Sequence, residues 1–195
     1  LSESFVQLPP DGTGKKLRAI YRNNLDTYEE VQACNDVETI NPIYAVAVSG
    51  STVAANKNHL TLWNGSTYRL RVLKILASMH TTGAVTGFAI QYLVHRVSSM
   101  SGGTILAIEK LDIDDPNPPF AIVATTSATV ATIGSPLVIF TLNPEDTGGS
   151  SYIDFVPPKP IILKQNSGLT IRQYSTTGVG FFNAVVYFST EVIKP

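Results

Sequence analysis

The sequence predicts an all-β fold, an antiparallel β-sandwich led by an extended N-terminal arm, and three observations carry that reading. Thr, Val and Ile make up 54 of the 195 residues, and side chains branched at Cβ suit a pleated strand better than the crowded surface of a helix. Turn residues recur at short intervals, among them Asn41-Pro42, Ser49-Gly50, Asn64-Gly65, Gly102-Gly103, Asp115-Pro116, Asn143-Pro144 and Ser167-Gly168. Between them lie runs of about five to twelve residues, the spacing of a sandwich or barrel. Several of these runs alternate apolar and polar residues, as a half-buried strand does.

Taken in order, residues 1–16 contain Pro9-Pro10 and Asp11-Gly12-Thr13-Gly14 and lack a periodicity that would anchor them in a core. They are predicted as the arm, and residues 17–195 as one sandwich domain. Leu25, Tyr28 and Val31 follow roughly helical spacing within Asn24–Asp36, but Thr27 to Ala33 fits a short strand and is predicted as one. From Arg69 to Ala77 the apolar phase slips by one residue: Leu70 and Val72 alternate with arginines, then Leu73 and Ile75 flank Lys74. A β-bulge near Val72 would return both halves to one core face.

From Gly87 to Val97 the even positions Phe88, Ile90, Tyr92 and Val94 form an apolar face, and the odd positions a mixed one. Phe182, Ala184, Val186, Phe188 and Val192 form the apolar face of the last strand, yet Phe181, Val185 and Tyr187 occupy its other face. Leu137 to Leu142 is apolar on both sides as well. Such strands are predicted to be central in a sheet or to lie at a subunit contact.

Charge narrows the function classes. Only 15% of residues are charged, with 14 basic against 15 acidic and a net charge of −1, so the attraction that non-specific nucleic-acid binding needs is missing. Neither nucleic acid nor membrane is an expected partner: no apolar stretch approaches the roughly 18 residues of a membrane span, and the N-terminus lacks a signal-peptide pattern. Cys34 is the single cysteine and cannot form an intrachain disulfide.

Local catalytic motifs are absent from the sequence. Gly14-Lys15 has Pro9 and Lys16 where a phosphate-binding loop needs a glycine and a hydroxyl. His59, His80 and His95 show no metal-ligand spacing, no nucleophile elbow occurs, and no cofactor is expected. Asp112, Asp114 and Asp115 place three carboxylates within four residues, a possible calcium loop, although the glycine and closing glutamate of an EF-hand are missing. Lys15, Lys16, Arg18 and Arg22 read as a charged strand edge that discourages stray pairing. Asn64-Gly65-Ser66 is both a glycan acceptor pattern and the strongest two-residue hairpin signal. Trp63 next to it is either a packing anchor or a sugar-stacking ring.

The order of these segments resembles that of a known family. Leu8-Pro9-Pro10-Asp11-Gly12-Thr13-Gly14-Lys15-Lys16-Leu17-Arg18 is followed by Leu60-Thr61-Leu62-Trp63-Asn64-Gly65-Ser66 leading into Leu70-Arg71-Val72. Then come Ser101-Gly102-Gly103-Thr104 with Leu111-Asp112, and Ile161-Ile162-Leu163 with Gly168-Leu169-Thr170-Ile171. The whole resembles the small β-sandwich virion proteins of tailed bacteriophages, of the head decoration or cement type. The resemblance implies a single jelly-roll-like sandwich and a non-enzymatic structural protein on the capsid surface, made in the host cytoplasm. It also implies a homotrimer that binds the major capsid protein or other virion proteins.

A chain with so few charges and two-sided apolar strands is expected to bury those faces against copies and neighbours. The candidate inter-subunit contacts are Phe5, Leu8 and Leu17 in and just after the arm, and the outward aromatics Phe181 and Tyr187. Two alternatives stand beside this reading. One is a capsid shell subunit, or a tail or fibre component that binds a receptor through loops such as His80 to Thr86 or Asp112 to Phe120. The other is a carbohydrate-binding module using Trp63, Tyr68 and Tyr92.

Overall fold

Branched residues and frequent turns do give strands, and among the described residues no helix occurs. The computed structural model describes residues 23–24, 27–28, 42–81, 89–143, 151–174 and 179–191. The chain divides into two units, Leu1–Ile40 and Asn41–Pro195. In the first, β1 (Asn23–Asn24) pairs antiparallel with β2 (Thr27–Tyr28). The predicted arm and the rest of the predicted strand to Ala33 lie outside the described residues, as do Cys34 and the Lys15–Arg22 cluster.

The second unit holds β3 (Ile43–Thr52), β4 (Asn58–Asn64), β5 (Arg69–His80), β6 (Ile90–Ser101), β7 (Thr104–Leu106), β8 (Ile108–Lys110) and β9 (Ile122–Thr126). It continues with β10 (Thr129–Leu142), β11 (Ser151–Phe155), β12 (Ile161–Leu163), β13 (Ser167–Gln173) and β14 (Phe181–Glu191). They form two antiparallel sheets. Sheet 1 has the order β10-β6-β13-β4-β9-β7, and sheet 2 the order β11-β5-β14-β3-β8, with β12 also on β5. The pairings are nested: β3 with β14, β4 with β13, β5 with β11 and β12, and β6 with β10.

One apolar core joins the inner faces of the two sheets. Leu60, Leu62, Tyr92, Val94, Leu169 and Ile171 come from sheet 1, and Tyr44, Val46, Leu70, Val72, Phe182 and Phe188 from sheet 2. Tyr92 stacks on Phe182 with ring centroids 4.4 Å apart, so the largest core rings bridge the sheets. Stacking of this kind adds about 1 kcal/mol to what area burial provides.

The phase slip in β5 is a bulge. Tyr187 pairs with Lys74 but Phe188 with Val72, so Leu73 is the extra residue, and Leu70, Val72, Ile75, Ala77 and Met79 all face inward. β11 and β12 run end to end along the far edge of β5, interrupted by Pro157, Pro158 and Pro160, which have no N–H to offer the ladder. β14 is central in sheet 2, as its two apolar faces predict. β10 is at an edge: Leu137 and Ile139 are exposed, and Gly134 to Leu137 form an irregularity between the pairs at Ile133 and Val138. Of the two predictions for that run, a central place in the sheet is therefore wrong.

β6 and β7 are separated by Gly102-Gly103 yet occupy the second and sixth places of sheet 1. Four strand spacings make about 19 Å in a flat sheet, whereas the three Cα steps across this turn reach at most about 11 Å. The end of β6 therefore leaves its neighbour: its pairing with β13 stops at Val97, and Met100 Sδ lies 3.4 Å from Thr125 Oγ1 on β9. Both glycines have positive φ, and a Cβ on Gly103 would meet the Thr126 carbonyl at 2.6 Å. Thr61, Thr125 and Thr170 point away from the core but are buried, with Thr61 and Thr170 sharing a hydroxyl bond of 2.9 Å.

Candidate interaction surface

The strand alternation that fills the core also decides what sheet 2 shows on its outer side. The pairs across β11, β5, β14 and β3 align Asp154, Leu76, Val185 and Ala47 in one row, and Lys74, Tyr187 and Ala45 in the next, with Glu109 of β8 beyond. Tyr152 stands opposite Ser78 in a third row. Because β3 contributes only Ala45, Ala47 and Ser49, whereas β11 contributes the protruding Tyr152, the middle of the face is a shallow concavity of about 410 Å³. Leu76, Val185 and Ala47 line it. Tyr152 is 73% exposed.

Two polar groups frame this apolar centre. At one end Asn183 Oδ1 accepts from the Gly50 N–H at 2.8 Å, and its Nδ2 donates to His80 Nδ1 at 3.0 Å. The His80 ring stacks on Phe181 at 5.4 Å. Gly50 has φ +64, the left-handed turn that lets β3 bulge and aim its N–H at Asn183. At the other end Lys74 Nζ meets Asp154 Oδ2 at 2.8 Å, a partly exposed pair that contributes under about 1 kcal/mol and fixes charge at the rim. Phe181 and Tyr187 both lie on this outer face and are half-buried. Phe5, Leu8 and Leu17 lie outside the described residues.

The Asp112–Asp115 loop is organised without converging carboxylates. Asp112 Oδ1 accepts from the Asp114 N–H at 3.0 Å, and Asp115 Oδ2 from the Ile43 N–H at 3.3 Å. Lys110 Nζ donates to the carbonyls of Ile113 and Asp115 at 2.8 and 2.9 Å, so an ammonium occupies the place where oxygen ligands gather. Among the described residues no group of three or more His, Cys, Asp or Glu side chains could hold a metal ion. The stretch from Ile113 to Phe120 exposes large apolar side chains, with Phe120 fully exposed and Ile113 85% exposed, and Ile105 of β7 is exposed as well.

Asn64-Gly65 is a corner between sheets and not a hairpin, because β4 belongs to sheet 1 and β5 to sheet 2. The Asn64 side chain builds the corner: Oδ1 accepts from the Ser66 N–H and hydroxyl at 3.0 and 2.7 Å, and Nδ2 donates to the carbonyls of Tyr68 and Leu163 at 2.8 and 3.0 Å. Gly65 is required by closeness, since a Cβ there would meet the Ala121 carbonyl at 2.8 Å. Asn64 is fully buried, which removes it as a glycan acceptor in the folded chain. Trp63 packs across Gly168, where an added Cβ would come within 3.0 Å of its ring. Tyr92 is in the core, so Trp63, Tyr68 and Tyr92 do not form one sugar platform.

Sequence reading missed a buried polar chain between the sheets. Ser51 Oγ lies 2.8 Å from His59 Nδ1, and His59 Nε2 lies 3.2 Å from Gln173 Oε1, which also accepts the Ala54 N–H at 2.9 Å. Gln173 Oε1 can only accept, so Nε2 carries the proton and Nδ1 accepts from Ser51. The ring packs 4.7 Å from Phe182 and 5.7 Å from Tyr92. Burial in this apolar setting pushes the His59 pKa down to about 4, which its hydrogen bond to Gln173 only partly offsets. Ser51 and His59 are both buried, so this pairing acts within the core.

Compared with known protein families, with curated proteins and with solved structures, the chain matches none.

Proposed function

We propose that this chain is a non-enzymatic virion structural protein of the capsid decoration or cement type, a jelly roll that works by contact with copies of itself and with a major capsid protein. The observation that carries the proposal is the outer face of sheet 2, a sheet surface with Leu76, Val185 and Ala47 at its middle, Tyr187 in the next row, Tyr152 on the edge strand β11, and one ion pair, Lys74 with Asp154, beside them. Contiguous apolar surface with a polar rim is the mark of a protein contact. Exposed Leu137 and Ile139 on the edge strand β10, and Ile105, Ile113 and Phe120 around the Asp loop, supply further contact points.

The jelly-roll part of the proposal rests on the nested pairs. Folding a long hairpin of four antiparallel pairs so that successive strands alternate between two sheets gives such a roll. In this chain the pairs β3·β14, β4·β13, β5·β11/β12 and β6·β10 have that nesting, and β7 to β9 are an excursion between β6 and β10. Repetition of the same modest contact around a symmetric trimer and over a lattice would turn weak sites into firm attachment.

Cryo-EM of the particle that carries the protein tests the proposal. Density for the chain at repeated lattice positions on the capsid surface is expected. Density confined to a tail or fibre, or an association with no particle, would contradict it.

A further inference from the structure

A second concavity lies at the turn end of sheet 1, where three separate segments meet. Its walls include Asn56 and Lys57 from the β3–β4 turn, Asn58 at the start of β4, Ser127 from the β9–β10 turn, Thr129 at the start of β10, and Arg172 near the end of β13. The volume is about 340 Å³, within the range of small-molecule sites and far more than one bare ion fills. Backbone bonds hold the segments together: the Ser127 N–H donates to the Asn58 carbonyl at 2.8 Å, and the Gln173 N–H to the Lys57 carbonyl at 2.9 Å. Asn58 Nδ2 adds a bond to the Ala128 carbonyl at 2.9 Å.

Charge and backbone conformation both single this place out. The walls contain two cations and no carboxylate. Arg172 Nη2 donates to Asn56 Oδ1 at 2.9 Å and Lys57 Nζ to the Thr52 carbonyl at 2.9 Å, both neutral acceptors, so neither cation has a carboxylate partner among the described residues. Each keeps further N–H donors. Of the three described non-glycine residues with positive φ, two line the pocket, Asn56 at +60° and Ser127 at +58°. For Ser127 this is a conformation that side chains rarely adopt and that a glycine would take without strain.

We propose that this pocket binds a small anionic sugar. Arg172 and Lys57 hold its carboxylate or phosphate group, Ser127 and Thr129 engage its hydroxyls, and Val130 meets its C–H surface, while Asn58 braces the wall through its bonds to Thr170 and the Ala128 carbonyl. The planar guanidinium suits either oxyanion, and the neutral polar wall distinguishes a sugar from a simple ion. The site stands apart from the assembly role, because none of its residues belongs to the outer face of sheet 2.

Amide NMR titrations at constant ionic strength with D-glucuronate, D-glucose 6-phosphate, neutral D-glucose and acetate test the proposal. Both anionic sugars should give saturable shifts at residues 56–58, 127–130 and 172, with glucose and acetate at least about tenfold weaker. Arg172→Gln should weaken the anionic sugars about tenfold or more, and Lys57→Gln about threefold or more; the same spectra report whether each variant is folded. If Arg172→Gln does not fold, Lys57→Gln decides. Absence of saturation, equal binding of glucose or acetate, or unchanged affinity in the folded variants overturns the proposal.

Discussion

Acidification from about pH 7 to about pH 4 should cost the sandwich about 3 kcal/mol through one ring, that of His59. In the folded chain its pKa is about 4, against an ordinary value of 6.5. The unfolded chain therefore takes up a proton below pH 6.5 that the folded core refuses. The stability linked to the neutral ring is fully present above pH 6.5, falls as pH drops through the window from 6.5 to 4, and levels off below it. A gap of about 2.5 pH units at about 1.4 kcal/mol each gives about 3.5 kcal/mol in full, of which about 3 kcal/mol is lost by pH 4, where the folded ring is half protonated.

The physical source is visible around the ring. Ser51 and Gln173 are neutral partners, and Phe182 and Tyr92 supply apolar walls, so no carboxylate stabilises the imidazolium. Urea unfolding at the two pH values, for the wild-type chain and for His59→Gln, isolates this contribution from carboxylates that titrate in the same range. It also separates His59 from His95, whose pKa burial and the Arg172 charge push in the same direction. The variant should lose about 3 kcal/mol less than the wild type on acidification. An identical loss in both, or an NMR titration that places His59 near 6.5, would refute the reasoning.

Three further outcomes follow from the packing. Gly168→Ala should destabilise by about 2 kcal/mol in chemical denaturation, because its Cβ would lie 2.5 Å from the Leu62 carbonyl, a backbone atom that cannot swing away; a change near zero would mean the ladder between β13 and β4 is looser than described. Asn64→Ala should cost about 2–3 kcal/mol, since it strands the buried carbonyl of Leu163 and the Ser66 hydroxyl together. Lys74→Ala should change stability by less than about 1 kcal/mol, because both partners in its pair with Asp154 are substantially exposed. Thermal unfolding with and without added salt checks that last value.

What was legible in the sequence was whatever depends on nearest neighbours along a strand. The slip at Leu73 shows in the order of apolar and charged residues because a bulge shifts the period-two pattern by one. The two apolar faces of β14 show its central place in sheet 2. The same signal in β10 has a different cause: Phe140 and Leu142 face the core, whereas Leu137 and Ile139 face outward from an edge. Burial depends on what lies beside a strand, which its own sequence does not contain.

Asn64-Gly65 shows the limit from the turn side. Local chemistry marks a reversal of the chain, but whether the next strand stays in the sheet is decided by Leu163 and Ala121, which lie far along the chain. The candidate contacts divide in the same way: alternation placed Phe181 and Tyr187 outward, but the concavity beside them needs Ala47 of β3 and Tyr152 of β11 at once. The Ser51–His59–Gln173 chain and the Asn56–Arg172 pocket join residues more than a hundred positions apart, and no spacing rule announces them.

Size-exclusion chromatography with light scattering tests most directly whether this protein works by contact through the outer face of sheet 2. The chain has a mass of 21.0 kDa. The account predicts a stable species of three times that mass for the wild type, and a shift to the single-chain mass when Val185→Asp places a charge in the centre of the face. A wild-type chain that stays at 21.0 kDa at every concentration, or an oligomer indifferent to the aspartate, would contradict it.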